Sequence, residues 1–129
     1  MSSLEAIFIV IMLGGFAALL SILVKRSVTG HAGLATVLFI AFAAFTAIQI
    51  GQEGIMGYWI NHTANLSGIQ VWWDLVTCAL IALFLIAPRA RAVGMNLLPW
   101  ALFVSCLAGV GLLAMCARLF WLERRAAAA

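Results

Sequence analysis

Residues 69–87 read IQVWWDLVTCALIALFLIA, and residues 88–91 read PRAR. The first stretch is close to the roughly 20 apolar residues that carry a helix across about 30 Å of hydrocarbon. A single acid, Asp74, stands inside it. Arg89 and Arg91 follow at once, in the way basic residues anchor a span at the interface.

Three more runs of this kind surround it. One extends from Ala6 to Val24, between an acidic flank at Glu5 and the pair Lys25-Arg26. A second starts near Ala32 and passes through Thr36, Thr46 and Gln49 to Gln52 and Glu53. A last one starts at Leu97, with Asn96 suited to an N-cap and Pro99 in the first turn, where a missing N–H does no harm. The pattern predicts helices over 5–24, 32–53, 69–87 and 97–120, with Pro88 stopping the third and an uncharged loop over 61–68. Of the 129 residues, 67% are hydrophobic and 9% charged, where soluble domains carry about 25% charged residues. The expected fold is all-α, a single-domain integral membrane bundle of four transmembrane helices. The first run is read as a retained helix, since its flank is acidic and no small-residue cleavage site follows.

The net charge of +3 does not point to nucleic acid. Its basic residues cluster at the ends of apolar runs and form no stripe. Lys25, Arg26, Arg89 and Arg91 fall on one side of such a bundle, against Arg124 and Arg125 on the other. The positive-inside rule then places both termini outside, as in a multi-pass protein of a bacterial inner membrane. Cys78, Cys106 and Cys116 lie within spans without a C-x-x-C pair and read as small core residues. His31 and His62 fall on opposite sides, so no metal or haem ligand pair is expected, and no cofactor is. Phosphate-loop, G-x-S-x-G and H-E-x-x-H patterns do not occur. The acceptor-like triplets Asn61-His62-Thr63 and Asn65-Leu66-Ser67 read as chance matches in a short polar loop.

Small residues recur four apart at Gly14 and Ala18, at Ala43, Ala47 and Gly51, and at Ser105 and Gly109. Such spacing lets helices approach closely in lipid, inside one chain or against other membrane subunits or a second copy.

The candidate site follows from the acids. A carboxylate at membrane depth needs a partner, water or a purpose. Gln70, Asp74, Thr77 and Cys78 share a helix face with Trp73, and Gln49 and Glu53 are four apart on the preceding span. Arg118, at the end of the last span, is expected on the same side. Glu53, Asp74 and Arg118, with Gln49, Gln70, Trp73 and Thr77, therefore form the expected locus, either as an ion pair tying three helices together or as a ligand site. Tyr58, Trp59, Trp72, Trp73 and Trp121 crowd this level, as an aromatic belt or as the walls of a pocket for a long apolar ligand. An alternative is a small membrane enzyme acting on a lipid or isoprenoid, with Asp74 and Glu53 as acid and base.

The stretch from Asp74 through Arg91-Ala-Val-Gly94-Met95 to the Arg118 end resembles a family of small bacterial four-helix membrane proteins of unknown function. It shares an Asp early in one helix, a basic turn ending in Gly-Met and an arginine-terminated last helix. The resemblance implies the fold and carries no functional residue. The expected role is a non-catalytic or lipid-binding membrane component packed against a larger complex.

Overall fold

The structure, a computed structural model, describes residues 2–24 and 30–128. The expected basic turn at Lys25-Arg26 lies outside the described residues. The chain forms five helices: α1 (Ser3–Val24), α2 (Ala32–Glu53), α3 (Met56–Thr63), α4 (Leu66–Ala92) and α5 (Leu97–Ala127). All except α3 are long and apolar enough to cross a membrane, so the all-α membrane architecture stands.

Local chemistry explains most of the boundaries. Ser2 Oγ accepts from the Glu5 N–H while Glu5 Oε2 accepts from the Ser2 N–H, a reciprocal cap that opens α1. Asn65 Oδ1 accepts from the Gly68 N–H and opens α4. Asn96 Oδ1 accepts from the Leu98 N–H and opens α5, with Pro99 in the first turn as the spacing required. Gly54, at φ 72°, closes α2 with its N–H on the Ile50 carbonyl.

The third span starts at Leu66 and the last ends at Ala127, where 69 and 120 were expected, and two larger changes accompany these shifts. Pro88 does not stop the third span, because α4 continues to Ala92. The stop lies at Gly94, at φ 73°, where the Met95 N–H reaches the Ala90 carbonyl and the Gly94 N–H reaches that of Arg91. This paired closure needs a left-handed residue, and Gly94 supplies one. Ala90 and Met95 are buried together across it, which holds the extra turn that proline weakens. The second change is α3, a short helix that replaces the first part of the expected 61–68 loop. Its last turn is satisfied by its own side chains: His62 Nδ1 bonds the Tyr58 carbonyl and the Thr63 hydroxyl that of Trp59, each at 2.7 Å.

The largest departure is inside α5. Ala108 has φ 41° and ψ −113°, so the helix is interrupted there. The chain turns back on itself, as three observations establish. A Cβ at Gly111 would lie 2.7 Å from the Phe103 carbonyl oxygen, whereas residues so separated in a straight helix stand about 12 Å apart. Val104 shares one core with Met115 and Leu119. Arg89, near the turn that starts α5, pairs with Glu123, near its end. Residues 97–107 thus run antiparallel to α4, and residues 109–127 return alongside them.

The buried core sits among α4 and the two halves of α5, around Ala90, Val104, Met115 and Leu119. α2 packs on the returning half, with Gly109 beneath the Phe42 ring and Gly30 beneath Phe120. Of the small positions expected at helix contacts, Gly109 makes a close approach, while Gly14 and Gly51 have nothing within 4 Å of a Cβ. α1 has no buried residue.

The reversal also relocates the tail. Arg118, Trp121, Arg124 and Arg125 stand at the Arg89–Arg91 end, not across from it as an uninterrupted α5 would place them. All five arginines of the described residues, Arg89, Arg91, Arg118, Arg124 and Arg125, gather at one end of the molecule.

Candidate functional site

Glu53, Asp74 and Arg118 do not meet. Between Asp74 and Arg89 the helix rises about 22 Å, and Arg118 lies at the Arg89 end. Its guanidinium stacks 4.5 Å from the Trp121 ring centroid. The single ion pair among the described residues is one that sequence reasoning passed over: Arg89 Nε to Glu123 Oε1 at 2.8 Å and Nη2 to Oε2 at 2.7 Å. Both carboxylate oxygens are engaged by one guanidinium fork, a geometry that only arginine offers. In the sequence Glu123 is one charge of a charged tail and carries no sign of a partner. Its distance from Arg89 becomes short only when α5 turns back.

The other expected site residues divide into two groups. Gln49 Nε2 donates to Glu53 Oε2 at 3.0 Å, and Gly57 rests on this pair, which ties the end of α2 to the start of α3. Gln70, Trp73, Asp74 and Thr77 are exposed on the outer side of α4. The side-chain contact of Asp74 is the Cys78 thiol, with Sγ 3.8 Å from Oδ1. This face points away from the core and lines none of the cavities described below.

A cavity does form one step around the same helix, at Trp72. An outer chamber of about 450 Å³ lies between α3 and α4, walled by Ile55, Tyr58, Trp59, His62, Ile69 and Trp72. An inner chamber of about 250 Å³ shares Ile55, Tyr58 and Trp72 with it and continues to Thr46 and the reversal at 106–110. The tandem chambers are apolar, with few polar groups. His62 stacks on Tyr58, with ring centroids 6.1 Å apart, and is tilted 60° to Trp72 at 5.5 Å. Because a carbonyl only accepts, the His62 Nδ1 facing Tyr58 carries the proton, and in the neutral ring Nε2 is left as an acceptor.

Thr46 lines the inner chamber, with its hydroxyl shielded from the open space. Thr36 and Ser105 return their hydroxyls to carbonyls of their own helices. The Thr46 Oγ1 is buried and has no partner, and neither has Gln49 Oε1 one turn further on. The break at Ala108 adds interrupted backbone to the same wall, since a helix end leaves carbonyls and a helix start leaves N–H groups outside the ladder. Such backbone at membrane depth is tolerated where it lines a cavity. The arrangement suits an elongated apolar molecule. No group of three metal-ligating side chains occurs among the described residues.

Trp121 leaves the expected aromatic level for the arginine end, whereas Tyr58, Trp59 and Trp72 form the chamber walls. The signals for these walls were present in the sequence as an aromatic cluster. The choice between Trp72 and Trp73 was not, because it depends on the rotation of α4 against α3. No protein-family model, curated protein or solved structure matches this chain.

Proposed function

We propose that this protein is a small, non-catalytic component of a bacterial inner membrane that binds a hydrophobic ligand and packs against another membrane protein. The observation that carries the reading is Asp74. With Arg89 at one interface, Asp74 lies about 7 Å inside the opposite one. There it is exposed on the side of α4 turned away from the core, in a row with Gln70 and Thr77. A carboxylate turned toward lipid at this depth is costly, while one facing a donor on a neighbouring helix is stabilised. The row is therefore the docking face, and its occupant is a membrane helix with hydrogen-bond donors or a basic group at that level. The tandem chambers hold the ligand, a lipid or isoprenoid, beside it.

An acid–base pair of Asp74 and Glu53 has less support. Glu53 is engaged by Gln49 on its own helix, and no hydrogen bond links the two carboxylates.

Native mass spectrometry of the protein purified in mild detergent tests both halves. We expect a stoichiometric polypeptide and one enriched apolar ligand. Asp74→Leu releases the polypeptide and keeps the ligand, and Trp72→Ala does the reverse with about a tenfold loss of ligand. A free monomer, with Asp74→Leu more stable than the parent, sinks the docking reading.

The orientation we propose has the arginine end in the cytoplasm. α1, α2 and α4 cross, and α5 dips in from the cytoplasmic side, so the C-terminus is inside. The support is that the described arginines share one end. In a background without Cys78, Cys106 and Cys116, Ala92→Cys and Ala126→Cys are expected to react with an impermeant maleimide from the cytoplasmic side alone, and Ser67→Cys from the other side alone. Opposite labelling of positions 92 and 126 sinks this topology.

A further inference from the structure

At the arginine end the charges do not balance. Glu123 is the only carboxylate there among the described residues, and Arg89 occupies both of its oxygens. Among the described residues, Arg91, Arg118, Arg124 and Arg125 have no carboxylate partner. Two of them are positioned by one ring: Arg118 lies 4.5 Å and Arg125 4.6 Å from the centroid of Trp121. A guanidinium held over an aromatic face still has N–H groups to donate to another acceptor. The helix thus presents two restrained, donor-rich guanidinium groups over one indole that is 39% exposed.

Depth narrows the ligand. Arg118 precedes Glu123 by about 7 Å along the helix, on the hydrocarbon side of it. The cluster consequently spans the boundary between headgroup and acyl chain, where tryptophan and arginine prefer to sit. A phospholipid phosphodiester is held at this boundary by its own chains, which lie against the apolar helix surface, whereas free phosphate has no such anchor.

We infer that Arg118, Trp121 and Arg125 form a site for the phosphodiester headgroup of an anionic phospholipid of the cytoplasmic leaflet. The site is separate from the Trp72 chambers, which lie beyond the other side of the Ala108 reversal.

Native mass spectrometry after delipidation and re-addition of synthetic lipids tests it. Phosphatidylglycerol is expected to be retained in preference to phosphatidylcholine. The double variant Arg118→Gln/Arg125→Gln should lose that preference by about 25-fold, about fivefold for each arginine. A second measurement rests on the intact protein in nanodiscs: brominated phosphatidylglycerol should quench tryptophan fluorescence more than brominated phosphatidylcholine, and the excess should vanish in Trp121→Phe. Equal retention of the two lipids, an unchanged preference in the double variant, or a quenching excess that survives Trp121→Phe overturns the site. Displacement of phosphatidylglycerol by millimolar inorganic phosphate overturns its assignment to a lipid.

Discussion

Replacing Gly111 with alanine is expected to lower the stability of the protein by about 3 kcal/mol, seen as a melting temperature reduced by roughly 10 °C in mild detergent. The new methyl group would meet the Phe103 carbonyl oxygen at 2.7 Å and the Val104 Cα at 2.8 Å. Both are backbone atoms, so the clash is relieved only by opening the reversal between the two halves of α5. That movement also loosens the core around Met115 and Leu119, each 0% exposed. The sign of the effect is diagnostic. In an uninterrupted helix, glycine to alanine stabilises by up to about 1 kcal/mol, because alanine is the better helix former. Gly14→Ala is the internal control, since nothing lies within 4 Å of its Cβ and α1 is regular there. A stabilised Gly111→Ala protein would refute the chain reversal and the shared arginine end with it.

The second large effect is expected at Arg89. The ion pair with Glu123 is asymmetric, with the Arg89 side chain 42% exposed and that of Glu123 13% exposed. Exposed pairs contribute under about 1 kcal/mol, and breaking fully buried ones costs about 3–5 kcal/mol. This pair falls between them. Arg89→Ala strands an enclosed carboxylate and removes the guanidinium from over Phe120, for an expected loss of about 2 kcal/mol. Glu123→Ala leaves an arginine that still reaches water, and is expected to cost about half as much. A double-mutant cycle should return a coupling of about 1–2 kcal/mol between the two positions. Coupling indistinguishable from zero would mean that the turn before α5 and the end of α5 are not neighbours.

Both expectations depend on the part of the chain that was hardest to read. The starts of the spans were legible because caps are local: Asn96 and Pro99 announce α5 by composition alone. The stop of α4 is not legible in the sequence, because Pro88 is the conspicuous breaker while the closure at Gly94 depends on burying Met95 against Ala90. α3 was invisible for a different reason. Its sequence, MGYWINHT, carries loop-forming residues in the turn whose own side chains cap it. At Ala108 neither proline nor charge marks the break. Gly109 and Gly111 are its nearest sign, and Gly109 was read with Ser105 as a packing face of a straight helix.

The candidate site shows the same division. Asp74 was recognisable as an expense in lipid from its position in an apolar run. Its expected partner, Arg118, followed from treating the last span as one uninterrupted helix, and the turn at Ala108 brings Arg118 to the Arg89 end instead. Glu53 meets Gln49 as their spacing of four allows, because that contact is local to one helix.

The turn at Ala108 also bears on how such a gene can grow. A polypeptide that traverses the bilayer an odd number of times ends on the opposite face from its start. A tandem copy joined to it would consequently be inserted upside down relative to the first. Inverted pairs of this kind are a recurring route to symmetric transporters with a shared central axis. In the orientation we propose, with α1, α2 and α4 crossing, the count is odd; a straight final helix would make it even, and duplication would yield two copies facing the same way.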